Sequence, residues 1–160
     1  MEDPLAREIG ARLTAGGQTL AVVETAAGGL ISAALLALPG ASAWFLGGAV
    51  VYSAQAKASW LGLPAEAFAP HGVVSSHGAT LLASAARRAL GATWGLAEVG
   101  IAGPQGGRRS SKPAGMVHLA VAGPCAAERL VQTGLDDRGA NQAAFARAAL
   151  TLLAETLAAR

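Results

Sequence analysis

A β-turn-α unit near the front of the chain limits the fold more than any other feature. Thr19-Leu20-Ala21-Val22-Val23 is a short apolar run with glycines before it and Glu24 after it, which reads as a buried strand. A turn over residues 24 to 29 ends in Gly28-Gly29. Leu30 to Leu38 is then apolar on most sides until Pro39-Gly40 stops it, predicting a helix packed inside the domain or at a subunit contact. A strand that runs straight into such a helix belongs to a layered α/β architecture.

Helix and strand signals go on alternating around this unit. Ahead of it, Asp3 can cap a helix that begins at Pro4, with Leu5, Ile9 and Leu13 at four-residue spacing until Gly16-Gly17. Behind it, Phe45 to Tyr52 predicts a second strand, whose Gly47-Gly48 points to a bulge or to close approach by another backbone. Residues 54 to 61 restart as a short helix carrying Lys57, Pro64 opens a helical piece to Ala69, and Pro70-His71-Gly72 turns the chain. Ser75 or Ser76 can cap a long helix from His77 to Leu90 that buries Leu81, Leu82, Ala85 and Ala89. Strands are expected near Leu96 to Ala102, Gly115 to Ala122 and Glu128 to Thr133, the last two joined as a hairpin at Gly123-Pro124. A final helix runs from about Asp137 to Ala158. Helices interleaved with strands at the front and a hairpin at the back predict a mixed sheet flanked by helices. The 160 residues are expected to form one domain with one compact core. The polar, Gly-rich stretch Gln105 to Ser111 reads as a mobile loop.

Composition removes several function classes. The chain is 52% hydrophobic and 14% charged, yet no run approaches the roughly 18 apolar residues of a membrane span. Met1-Glu2-Asp3-Pro4 lacks a basic region followed by an apolar one, so no signal peptide is expected and the default compartment is the cytoplasm. Cys125 is the single cysteine and there are only three His, so neither an intramolecular disulfide nor a zinc spacing is present, and no ligand cluster implies a cofactor. The net charge of +2 comes from scattered basic residues, with Arg87-Arg88 and Arg108-Arg109 the only adjacent pairs and aromatics at 4%. A nucleic-acid binder shows a basic stripe in a recognisable context, so nucleic acid ranks behind a small-molecule pocket.

Several short segments carry a resemblance. They are Glu24-Thr25-Ala26-Ala27-Gly28-Gly29, Pro39-Gly40-Ala41-Ser42, Tyr52-Ser53 with Lys57, Gly72-Val73-Val74-Ser75, Gly100-Ile101-Ala102-Gly103-Pro104, Lys112-Pro113-Ala114-Gly115 and Asp137-Arg138. In order and spacing, over nearly the whole chain, they resemble the CinA C-terminal domain family. The resemblance implies a three-layer α/β/α sandwich with a mixed β-sheet, in agreement with the helix and strand pattern. It also implies a homo-oligomer, a dimer. Enzymatic members are nicotinamide mononucleotide amidohydrolases, which release ammonia and nicotinate mononucleotide.

Amide hydrolysis needs a nucleophile, a proton acceptor that later protonates the departing ammonia, and donors for the oxyanion. The family pattern Glu-Ser-Cys-Thr-Gly-Gly supplies the nucleophile from its serine, and Tyr-Ser-x-x-x-Lys supplies the base from its lysine. By this resemblance the catalytic candidates are Thr25, Lys57 and Tyr52. Lys57 as a base needs its pKa brought from about 10.4 towards 7 to 8, a shift worth about 4 kcal/mol. Burial beside Tyr52 would supply part of it, whereas a lysine on a short helix is otherwise a solvated one. The substrate-binding candidates are Glu24, Gly28, Gly29, Gly100, Ala102, Gly103 and Arg138. Gly28-Gly29 at a helix start offers N–H groups to an oxyanion or phosphate, although such a pair alone marks a turn. Gly100 to Gly103 closes a strand at the sheet edge where α/β ligand sites lie, and in isolation is a tight turn. Arg138 can pair a phosphate bidentately, or else Asp136, Asp137 or a neighbouring subunit. His71, His77 and His118 receive no role.

The departures from the family pattern cluster at this site. Serine becomes Thr25, cysteine Ala26 and threonine Ala27; Val99 replaces a Thr or Ser, and Gln142 stands where an arginine follows four residues after Arg138. Two readings stay open: an amidohydrolase, slow or shifted to another amide, and a non-catalytic member that keeps a nucleotide pocket or serves as a partner subunit. A third, a DNA-interacting protein tied to competence, rests on the family's name.

Overall fold

A computed structural model of the chain describes residues 2–106 and 111–160. The stretch expected as a mobile loop thus lies partly outside the described residues, and Arg108-Arg109 lies wholly outside them. The strands are β1 (Leu20–Glu24), β2 (Phe45–Val50), β3 (Trp94–Ile101), β4 (Met116–Ala122) and β5 (Ala127–Gln132). The helices are α1 (Pro4–Gly16), α2 (Leu30–Leu36), α3 (Ala54–Leu61), α4 (Ser76–Leu90) and α5 (Arg138–Ala158). None of the described helices is long and apolar enough to cross a membrane.

The strands form one sheet in the order β2-β1-β3-β4-β5. Strand β1 pairs parallel with both β2 and β3, while β3 with β4 and β4 with β5 are antiparallel. The crossover through α2 steps from β1 to one side, and the path through α3 and α4 steps back past β1 to β3. Because parallel crossovers are right-handed, steps in opposite directions place their helices on opposite faces. Accordingly α2 packs with α1 and α5 on one face and α4 covers the other, giving the three-layer α/β/α sandwich. The reversal of direction makes the carboxyl ends of β1, β2 and β3 a crevice of the kind that holds ligands.

Local chemistry explains the elements. Asp3 accepts the Leu5 N–H at 2.8 Å to start α1 at Pro4, and Ala6, Ile9, Gly10 and Leu13 form its buried face. All five residues of β1 are buried, as a central parallel strand requires, and the last of them is the carboxylate Glu24. The glycine pair in β2 coincides with a bulge, since the register moves from Leu20 opposite Phe45 to Ala21 opposite Gly47. Gly48 also admits the close approach of Ser32 on α2, a helix side chain where a backbone was one of the expectations.

Two expectations are corrected. The single core divides in two, because the sheet separates Ile9, Ile31, Leu96, Phe145 and Leu150 on one side from Val23, Phe68, Leu82 and Ala83 on the other. On α4, Ala79, Leu82, Ala83, Ala85 and Ala86 are buried, while Leu81 is half-buried and Ala89 is exposed. The small residues let α4 sit so close that a Cβ at Gly95 of β3 would fall on the Ala83 carbonyl.

Candidate functional site

Strand β1 ends at Glu24 and strand β2 at Val50, and the Val51 N–H donates to the Glu24 carbonyl at 2.9 Å. Thr25 and Tyr52 each follow directly on that bond. Ser53 then caps α3, accepting the Ala56 N–H at 3.0 Å, and the first turn of the helix turns Lys57 back towards the same place. The Lys57 ammonium donates to the Tyr52 carbonyl at 3.1 Å and, more weakly, to the Ser53 carbonyl at 3.5 Å. Lys57 is only 5% exposed, and burial pushes its pKa down. It lines a cavity of about 320 Å³ with apolar walls that include Leu63, Phe68, Pro70 and Val73. The environment is the one expected for a lysine that works as a base, and no carboxylate among the described residues pairs with it.

Arg138 opens α5, which starts behind the Asp137 cap. Its guanidinium donates to the Gly103 carbonyl at 2.7 Å and to the Tyr52 hydroxyl at 3.2 Å. The sequence candidates Tyr52, Gly103 and Arg138 therefore meet at one edge, with Lys57 reaching the backbone of the same tyrosine. Gly103 adopts φ 89°, a conformation that favours glycine. Beside it, buried Asn141 donates to the Ala102 carbonyl at 2.9 Å and to the Leu135 carbonyl at 3.0 Å, tying α5 to the end of β3.

The turn that carries Thr25 is held from beneath by two carboxylates. Glu24 is fully buried and caps α2: one oxygen accepts the Gly29 and Ile31 N–H groups at 2.9 and 3.1 Å, the other the Ser32 N–H and hydroxyl at 2.8 and 2.7 Å. Glu24, expected among substrate-binding residues, thus has both oxygens occupied by the protein. The second carboxylate is Glu98 of β3, also fully buried, whose Oε2 accepts the Thr25 and Ala27 N–H groups at 3.0 and 2.9 Å. Its Oε1 is buried without a hydrogen-bond partner among the described residues. Burial raises the Glu98 pKa to about 7 against the opposing pull of the turn N–H groups, and the charge of Glu24 adds to the rise.

Several placements differ from the sequence expectations. The Thr25 hydroxyl donates to the backbone carbonyl of Glu98 at 3.4 Å, and no hydrogen bond joins it to Lys57 among the described residues. Gly29 spends its N–H on Glu24, so of the glycine pair only Gly28 keeps an N–H without a protein acceptor among the described residues. Gly100 is required by packing rather than by a ligand, because a Cβ there would lie 2.7 Å from the Met116 carbonyl and 3.0 Å from the Phe145 ring. Ala102 is 2% exposed and its carbonyl is taken by Asn141. Gln142 donates to the Ala26 carbonyl at 3.0 Å, a further restraint on the turn. Glu98 was missed from sequence; its one signal was a lone acid inside the apolar run Trp94–Ile101. No group of three or more His, Cys, Asp or Glu among the described residues is placed to hold a metal ion.

Comparison with known proteins places this arrangement. Residues 2–157 match the family model described as the CinA C-terminal domain. The chain is 46% identical over 152 residues to a CinA-like protein of Anaeromyxobacter dehalogenans, covering 95% of this chain and 37% of that protein. It is 46% identical over 138 residues to a CinA-like protein of Parasynechococcus marenigrum, covering 86% of this chain and 33% of that protein. The chain therefore spans about a third of the length of these curated relatives. Among solved structures it resembles the competence/damage inducible protein of Agrobacterium tumefaciens, with TM-score 0.87 and 35% identity over 96% of this chain and 93% of that one. It likewise resembles a competence-damaged (CinA) superfamily protein of Klebsiella pneumoniae, with TM-score 0.89 and 30% identity over 98% and 97%. With a family match over nearly its whole length and a sandwich shared with solved members, the chain belongs to the CinA C-terminal domain family.

Proposed function

We propose that the chain is an amidohydrolase acting on a pyridine carboxamide nucleotide of the nicotinamide mononucleotide type, with Thr25 as nucleophile and Lys57 as general base. The observation that carries this reading is Lys57: a nearly buried amine with a lowered pKa, held by two backbone carbonyls just past the end of β2, the strand that pairs with β1. In the reaction, the Thr25 hydroxyl proton passes to the Lys57 amine as Oγ1 attacks the carboxamide carbon. The oxyanion of the tetrahedral intermediate is met by the Gly28 N–H. Collapse breaks the C–N bond, and Lys57 returns its proton to the departing ammonia, leaving an ester on Thr25. Lys57 then takes a proton from the water that attacks the ester carbon, the C–Oγ1 bond breaks, and Lys57 gives that proton to the departing Thr25 Oγ1, leaving a carboxylic acid product that ionises in solution. Arg138, aligned by Tyr52 and Gly103, is positioned to meet the nucleotide phosphate. Before attack the Thr25 hydroxyl has to leave the Glu98 carbonyl, a rotation that the γ-methyl of threonine makes harder than in serine.

That same contact favours a second reading, in which the pocket binds the nucleotide and the hydroxyl stays where it is. Ammonia release and nucleotide binding, measured together, separate the two. On the first reading the parent releases ammonia from nicotinamide mononucleotide, and Lys57→Ala loses at least about 100-fold in kcat while still binding. Binding without ammonia release from the parent supports the second reading and overturns the first.

A further inference from the structure

Glu98 grips Thr25 at two points. Its side-chain Oε2 accepts the Thr25 N–H, together with that of Ala27, and its backbone carbonyl accepts the Thr25 hydroxyl. No other residue contacts the proposed nucleophile by a hydrogen bond among the described residues. We propose that Glu98 is the positioning residue of this site, the group that sets where the Thr25 turn sits and where its hydroxyl points. As a role in the reaction, this rests on the amidohydrolase reading; as a hold on the turn, it does not.

Three observations point the same way. Glu98 sits fully buried on a strand whose neighbouring residues are apolar, where a carboxyl is costly unless its oxygens are used. One oxygen is used, and on the turn alone. The other, Oε1, has no partner among the described residues, so nothing but the turn fixes the carboxyl and nothing else explains it. Charged neighbours leave the pairing with the turn dominant. Glu24 at the end of β1 repels the ionised form. Across the sheet Glu98 lies opposite Leu119; of the α5 residues that reach this edge Asn141 and Gln142 are uncharged, and the one cation, Arg138, turns its guanidinium to the Gly103 carbonyl and the Tyr52 hydroxyl. When Glu98 is ionised the amide hydrogen bonds are charge-assisted and tighten; when it is protonated they weaken. The setting of the Thr25 turn therefore follows the state of Glu98.

The test compares the parent with Glu98→Gln, which keeps an oxygen for both N–H groups but cannot ionise, and with Glu98→Leu, which keeps neither. Backbone amide resonances of Thr25 and Ala27 are followed from pH 5 to 9. In the parent they are expected to move together with one midpoint near 7, and in Glu98→Gln to stay still. In parallel, ammonia release is expected to fall about 100-fold in kcat for Glu98→Leu with KM within about threefold, as a displaced nucleophile demands. Glu98→Gln should retain most of the rate and lose the pH limb near 7. Amides that do not titrate in the parent, or that titrate unchanged in Glu98→Gln, overturn the proposal. If the amides behave as expected and the parent releases no ammonia, the hold on the turn stands and the amidohydrolase reading falls.

Discussion

At the scale of the residue, two buried carboxylates under one turn are the least ordinary feature of the chain. They differ in kind. Glu24 has four donors on its two oxygens, so Glu24→Ala strands those donors and removes the cap of α2. The expected cost is about 3 kcal/mol or more, read as a lower denaturation midpoint with an unchanged slope. Glu98 behaves in the opposite sense. Its folded pKa is about 7, above the ordinary 4.5, so the folded chain holds a proton that the unfolded chain has released between those values. Stability contributed by the neutral form is full below about 4.5 and is lost as pH rises through 7, by about 3 kcal/mol. Thermal unfolding of the parent is expected to weaken across that window relative to Glu98→Gln, and the difference between the two should level off above about pH 8. A difference that grows as pH falls would contradict the assignment.

At the scale of the element, the site is made by ends: β1 and β2 finish side by side, β3 finishes at Gly103, and α5 begins at Arg138. Joining β3 to α5 is Asn141, fully buried with its amide on the Ala102 and Leu135 carbonyls. Asn141→Leu leaves those carbonyls unpaired and is expected to cost about 2 kcal/mol and to weaken nucleotide binding through the displaced Arg138. Gly100→Ala forces a methyl against the Met116 backbone and should destabilise the chain by about 2 kcal/mol without the ligand present, the mark of a packing glycine. The elements themselves were legible. The apolar run of β1, the glycine stops and the serine and aspartate caps are local signals, and they placed strands and helices to within a residue or two. The buried face of α4 shifted by part of a turn because its apolar stripe is mostly alanine, which does not distinguish inside from outside.

At the scale of the whole molecule, Tyr52, Gly103 and Arg138, named from separate motifs of the sequence, meet at one edge, and Lys57 reaches the backbone of the same tyrosine. What the sequence did not contain was direction. Nothing in the letters says that Glu24 points inward at α2, that Gly29 spends its N–H there, or that Glu98 reaches across from β3, since those follow from the pairing of distant strands. The site so formed brings together one buried amine, the Gly28 N–H and one arginine, the groups that the proposed reading assigns to a small anionic nucleotide. The scattered charge argues against DNA, and a gel shift at two salt concentrations is expected to show no salt-sensitive complex. The central claim is that Thr25 is a working nucleophile. It is tested most directly by ammonia release from nicotinamide mononucleotide with the parent, Thr25→Ser and Thr25→Ala in one assay. The account expects measurable turnover in the parent, a faster Thr25→Ser and no activity in Thr25→Ala; turnover in Thr25→Ala equal to that of the parent would contradict it.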